Sequence, residues 1–148
     1  MRAVVQRVTE ASVRIDGGTV GAIRNGLCVL LGVSVDDSEA DADYVADKLL
    51  GLRIFDDENG VPNRSVCDIR GEILLISQFT LLGDARKGRR PSYIEAARPE
   101  QAIPLYERCI AKLCSVVPVE TGRFGADMKV SIQNDGPFTI LLDSKKGF

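Results

Sequence analysis

Four short stretches hold the side chains best able to do chemistry. Ser77-Gln78-Phe79-Thr80 sets two hydroxyls and an amide inside an otherwise apolar run. Burying such a group without a partner costs about 1–3 kcal/mol. Either these groups hydrogen-bond to neighbouring strands, or they line a pocket where short polar side chains and backbone N–H groups meet a ligand. Arg86, Lys87, Arg89 and Arg90 surround Gly88, as a solvated loop or as a grip on one or two phosphates. Thr121-Gly122-Arg123-Phe124-Gly125 places an aromatic between glycines, as a core residue or as a ring on which a nucleic-acid base stacks. In Asn134-Asp135-Gly136-Pro137-Phe138-Thr139 the Gly-Pro pair lies between two apolar alternations, Met128, Val130, Ile132 and Phe138, Ile140, Leu142. Proline has no N–H for a ladder and belongs at an edge, a bulge or a turn, while glycine lets a ligand or another backbone come close. On pattern alone this is a hairpin turn between two closing strands.

What is missing narrows the chemistry. The chain has no histidine, which removes Ser-His-Asp and Cys-His mechanisms and the commonest zinc ligand. Cys28, Cys67, Cys109 and Cys114 show no C-x-x-C spacing and lie in or beside apolar segments. They are expected to be buried free thiols of a reducing cytosol, with no metal or cofactor to hold. A net charge of −2 and a pI near 5.2 argue against broad coating of a polyanion, so any such contact is local. No apolar run approaches the ~20 residues needed to span a bilayer. The start leads straight into a strand-like segment, so the expectation is a soluble, cytoplasmic chain with no signal peptide and no membrane partner.

These residues need elements to position them. At 148 residues the chain is expected to form one domain, 1–148, able to bury roughly 70% of its unfolded surface. Residues 2–8 read as a strand, and alternating Ala11, Val13 and Ile15 lead through Asp16-Gly17-Gly18 into a hairpin with residues 19–23. Asn25-Gly26 turns into a central strand over 27–33. Ser38 and Asp41 resemble a capping box ahead of a helix over 39–51. Residues 52–55 are expected to form a short strand, and 73–82 the deepest one, apolar on both faces. Residues 83–91 form a loop and 92–97 a helical turn. A second helix spans about 100–116, with Pro104 in its first turn or bending it. The sum is an α/β fold in which mixed or antiparallel sheets are covered by two main helices.

Taken together, Met1-Arg2-Ala3-Val4-Val5-Gln6-Arg7-Val8, Ser77-Gln78-Phe79-Thr80-Leu81, Gly88-Arg89-Arg90-Pro91-Ser92 and the Asn134–Thr139 stretch resemble the D-aminoacyl-tRNA deacylase family, nearly end to end and in the same order. One departure is Phe138, where the family more often has valine; altered packing rather than lost chemistry is expected. The resemblance implies a homodimer with its active sites at the interface and the 3′ CCA end of aminoacyl-tRNA as partner. It implies a cis Gly136-Pro137 bond, reaching into the other subunit's pocket with both carbonyls set where the substrate's α-amino group arrives. A D-residue then fits with its side chain outward, an L-residue drives its Cβ into the motif, and glycine is also accepted, as on mischarged alanine tRNA.

Arg7 resembles the residue that braces this motif; otherwise it is a surface arginine on the first strand. By the same resemblance, N–H groups near Phe79 and Thr80 hold the developing negative charge and Ser77 and Gln78 shape the pocket. Phe124 stacks on the terminal adenine, Met128 belongs to the substrate site, and Arg86, Lys87, Arg89 and Arg90 meet the tRNA. The terminal 2′-hydroxyl assists and water accepts the acyl group. A Thr80 nucleophile is the competing route, although no adjacent base is evident. The other readings are a non-catalytic RNA-end or DNA-associated binding module, and a relative with a trans Gly-Pro bond acting on L-alanyl-tRNA.

Overall fold

A computed structural model describes residues 1–148. The strand β1 (Arg2–Ile15) is the one around which the others are laid. Along one edge it pairs antiparallel with β3 (Gly26–Gly32), from Arg2↔Gly32 to Val8↔Gly26, and then with β2 (Gly18–Ile23). Along its other edge runs β8 (Lys129–Asp143), antiparallel from Arg2↔Asp143 to Arg14↔Lys129. Beyond β3 the sheet continues in parallel, through β6 (Glu72–Ser77) to β7 (Val119–Thr121). Strand β2 folds back toward β7, so close that a Cβ on Gly21 would stand 2.7 Å from the Thr121 carbonyl oxygen. The result is a single α/β domain with a mixed, barrel-like sheet. A separate ribbon pairs β4 (Phe55–Asp56) with β5 (Pro62–Arg64).

Side-chain alternation assigns the two faces of this sheet. Ala3, Val5, Leu27, Val29, Leu31, Ile73 and Leu75 point to one face, where 23 buried residues form the main core with the helices. Cys28, Leu74 and Ile76 point the other way, into a cluster of only seven with Val8, Ala11, Val13 and Ile23. Strand β1 serves both because its pairing with β8 slips between Val8 and Glu10, and a slip of one residue exchanges the faces. The helix α1 (Glu39–Gly51) opens on the expected capping box, in which the Ser38 N–H donates to Asp41 Oδ2 at 2.8 Å. Its partner α2 (Pro99–Cys114) starts with Pro99, whose missing N–H is among those a helix start leaves free anyway. Pro104 lies one turn further in, on the exposed side. Arg108 of α2 ties the two helices together, pairing with Asp43 at 2.8 Å and Glu39 at 3.0 Å.

Several expectations need correction. The closing hairpin does not exist: β8 is one strand through residues 134–137, because both halves pair with the same neighbour, β1. The deep strand stops at Ser77, and Phe79–Leu82 form a 3-10 turn. Residues 52–54 are not a strand, which begins only at Phe55. Residues 92–97 form a turn between two isolated bridges, Asp84↔Ser92 and Ser34↔Ala96. All four cysteines are free, but only Cys28 and Cys109 are buried; Cys114 is exposed at the end of α2. No helix is long and apolar enough to cross a membrane.

Burial pushes the Cys28 thiol up to about 11 and the Cys109 thiol up to about 12, because a thiolate there would lose its hydration. Above their ordinary range the unfolded chain releases these protons and the folded chain keeps them, so stability falls as pH rises from about 9 to 11. A thiol reagent at pH 8 should modify Cys114 at once and Cys28 and Cys109 only after denaturation. The unfolding midpoint should drop between pH 9 and 11, and modification of Cys109 as fast as Cys114 would contradict this packing.

Candidate active site

The site begins where the parallel strands end. Strands β3 and β6 run side by side from Gly26↔Glu72 to Leu31↔Ser77, and open α/β sheets bind ligands outside such carboxyl ends. There the chain turns away, with the Gln78 N–H still donating to the Leu31 carbonyl at 2.7 Å. Gly32 allows this crossing: a Cβ there would lie 2.7 Å from Leu82 Cδ2 and 2.8 Å from the Gln78 carbonyl oxygen. Beyond the ends lies a cavity of about 320 Å³, lined mainly by apolar side chains. Leu31, Val33 and Ile76 form its strand side, Ala102 and Tyr106 its helix side. The segment from Phe124 to Met128 closes it opposite.

Ser77, Gln78, Phe79, Phe124 and Met128 all line this cavity. Thr80 does not; its hydroxyl accepts a hydrogen bond from the Gln78 side-chain amide. The polar residues that seemed to interrupt a strand instead end it, and Phe79 and Thr80 are exposed. A 3-10 turn leaves its leading N–H groups without partners inside the turn. Here those are the N–H groups of Phe79 and Thr80, since the bonds run from Leu81 back to Gln78 and from Gly83 back to Thr80. Phe79 packs edge to face on Tyr93, 5.2 Å between centroids. Phe124 leans on Tyr106, 6.1 Å away.

Tyr106 and Asp127 also line the cavity, and sequence reasoning passed over both as site residues. The signal for Tyr106 was a phenol on the buried stripe of a helix, since such a hydroxyl must find a partner. It donates to the Leu75 carbonyl at 2.7 Å. Burial, then the nearby Cys109, pushes its pKa well up, so this phenol stays protonated and is no base.

Arg86, Lys87, Arg89 and Arg90 lie exposed on the loop that leaves the 3-10 turn, closed by paired backbone bonds of 2.8 Å between Asp84 and Ser92. Arg86 is already engaged, forking onto the Asp84 carboxylate at 2.8 and 2.7 Å. Those hydrogen bonds, with the Arg86 backbone N–H, hold the Asp84 carboxyl down to about 2.

Gly136 and Pro137 do not line their own chain's cavity; they are exposed on a bulge of β8. Pairing runs Gln6↔Thr139 and then Val8↔Asn134, so residues 135 to 138 stand opposite Arg7 alone. The Gly136-Pro137 bond is cis. Arg7 is not a surface arginine, for its side chain is 8% exposed. Its Nε donates to the Asp135 carbonyl at 3.0 Å and lies 3.1 Å from the Asp135 carboxylate. Its Nη1 donates to the Ile54 carbonyl at 2.8 Å and lies 3.5 Å from Asp56 Oδ1. Of these partners only the Asp135 stretch was suggested by the sequence, through the resemblance; Ile54 and Asp56 carried no signal there.

Fold and site together define a small α/β protein with an apolar cleft edged by free backbone donors and a braced, outward-facing bulge. The chain belongs to the D-Tyr-tRNA(Tyr) deacylase family, a family of hydrolases whose profile matches residues 4–143. It is 59% identical over 149 residues to a D-aminoacyl-tRNA deacylase of Thermosipho africanus. It is 58% identical over 148 residues to another of Kosmotoga olearia, and 100% of each chain is covered in both comparisons. Among solved structures it is similar to a c-Myc DNA unwinding element binding protein, at 44% identity and a TM-score of 0.91 over 97% of this chain and 98% of that one. It shares its fold with a probable eukaryotic D-amino acid tRNA deacylase, at 17% identity and a TM-score of 0.83 over 95% and 97%.

Arg7→Met keeps the apolar stem and removes every donor, leaving the buried Ile54 carbonyl unpaired. It should lower the unfolding free energy by about 1–3 kcal/mol, measured by urea denaturation. Arg89→Met on the exposed loop should stay within about 0.5 kcal/mol, and equal losses would contradict the brace.

Proposed function

We propose that this chain hydrolyses the ester of D-aminoacyl-tRNA, releasing the D-amino acid and leaving the tRNA with a free 3′-hydroxyl. The observation that carries the reading is the Gly136-Pro137 bulge, fixed by a buried arginine yet lying outside the cleft of its own chain. A homodimer would bring that bulge to the partner's cleft. There the two carbonyls would receive the substrate's α-amino group, and the backbone would fill the space an L-residue's Cβ needs. Selection then works by exclusion and ignores side-chain identity, so glycine on alanine tRNA is also a substrate.

In the reaction the terminal adenosine stacks on Phe124 beside Met128, and Ser77 and Gln78 shape the pocket around the ester. Water attacks the ester carbonyl, and the N–H groups of Phe79 and Thr80 hold the oxygen as it becomes negative. The RNA's own 2′-hydroxyl assists proton transfer, and the departing 3′-oxygen leaves protonated. The hydroxyl of Thr80 faces an amide, which is no base, and this favours water over a covalent route. Since Arg86 is held by Asp84, the phosphates fall mainly to Lys87, Arg89 and Arg90. The place of work is the cytoplasm.

Matched D- and L-tyrosyl-tRNA separate the readings. The D ester should be cleaved and the L ester spared, and a D ester on a 2′-deoxyadenosine end should be cleaved poorly. Tight binding of the RNA end with no turnover would make the chain a binding module, and turnover of L-alanyl-tRNA alone would reverse the handedness. Thr80→Ala should retain D-ester turnover within about tenfold of the unaltered chain; a fall to the uncatalysed rate would restore the threonine nucleophile.

A further inference from the structure

We propose that Phe138 is a positioning residue for the bulge, acting through the face of the Arg7 guanidinium. The Arg7 Cζ lies 4.2 Å from the centroid of the Phe138 ring. A guanidinium donates its N–H groups in its own plane, and its faces donate nothing. The edge of Arg7 is occupied by Asp135, Ile54 and Asp56, which leaves a face to be covered. An aromatic ring covers it and attracts the cation, most strongly where water is excluded. Phe138 is half-buried against the main core, so its ring is fixed from behind.

The placement matters because Asp135 and Phe138 flank Gly136 and Pro137. One end of the bulge is held to Arg7 by the Asp135 carbonyl and carboxylate, the other by the Phe138 ring. The two exposed residues are thus suspended between two anchors on a single cation. An aliphatic side chain at 138 would fill the same apolar space but anchor only through packing. The effect on Arg7 stands on this geometry alone; the effect on chiral selection rests on the proposed function.

The test uses the full-length chain with Phe138→Leu and Phe138→Met, which keep apolar bulk without a π face, and Phe138→Tyr, which keeps the ring. Two quantities are read: hydrogen exchange of the Arg7 Nε–H by NMR, and the ratio of kcat/KM for D- over L-tyrosyl-tRNA. Leucine and methionine should speed the exchange, and lower the ratio, by about tenfold each, and tyrosine should restore both. Wild-type exchange in the leucine and methionine variants would overturn the proposal, as would faster exchange with an unchanged ratio. Should Phe138→Leu not fold, Phe138→Met alone decides. If the unaltered chain shows no preference for the D ester, the proposed wedge fails, and the exchange rates still judge the role of Phe138.

Discussion

Arg7 is where the sheet, the ribbon and the bulge are joined. A charge with 8% of its side chain exposed gives up most of its hydration, a loss of several kcal/mol that only close, well-directed partners offset. Two backbone carbonyls and two carboxylates do so, drawn from the β4–β5 ribbon, the segment before it and β8. None of them can move without leaving a buried cation short of a partner. That is how a stretch of four residues opposite a single one, otherwise the weakest part of a ladder, becomes a defined surface. The local rule that Gly-Pro makes a turn yields here to a tertiary one.

The same sheet that carries the bulge makes the cleft. Strands β3 and β6 are apolar on both faces, which locks them between two clusters and leaves their ends as the only place where polar groups can collect. The Gly32 crossing then converts a strand into a 3-10 turn and frees its leading N–H groups. Backbone donors held this way need no reorganisation when charge develops beside them. They suit a chain without histidine, since free N–H groups can face a negative charge without carrying a titratable proton. Gly122 serves the opposite wall: a Cβ on it would run into the sulfur of Met128.

Charge is distributed to match. Acidic and basic side chains of the helices are largely paired with one another, as in Arg108 with Asp43 and Lys112 with Asp47. The cleft itself has apolar walls with one acidic side chain, Asp127, and a phenol kept protonated by burial. The exposed cations Lys87, Arg89 and Arg90 stand on one closed loop that starts at the cleft's own 3-10 turn. An acidic protein can thereby present a small positive surface beside an apolar pocket without attracting polyanions elsewhere.

By itself the sequence determined whatever depends on local periodicity and local chemistry. The helix over 39–51 with its Ser38–Asp41 start, the two-faced strands and the loop of cations all follow from side-chain spacing and need no distant partner. The absence of histidine likewise fixed which mechanisms were open. Tertiary structure alone decided that residues 134–137 continue a strand, that Arg7 is buried, that the strand over 73–82 breaks at Ser77, and that Cys114 is exposed. The first three of these turn on partners far away in the chain: β1 lies more than 100 residues from β8, and Gly32 lies more than 40 from the turn that crosses it. A residue's own neighbours in sequence state what it prefers. Which preference prevails is set by the groups that folding brings against it, because only they can satisfy or strand a buried polar atom.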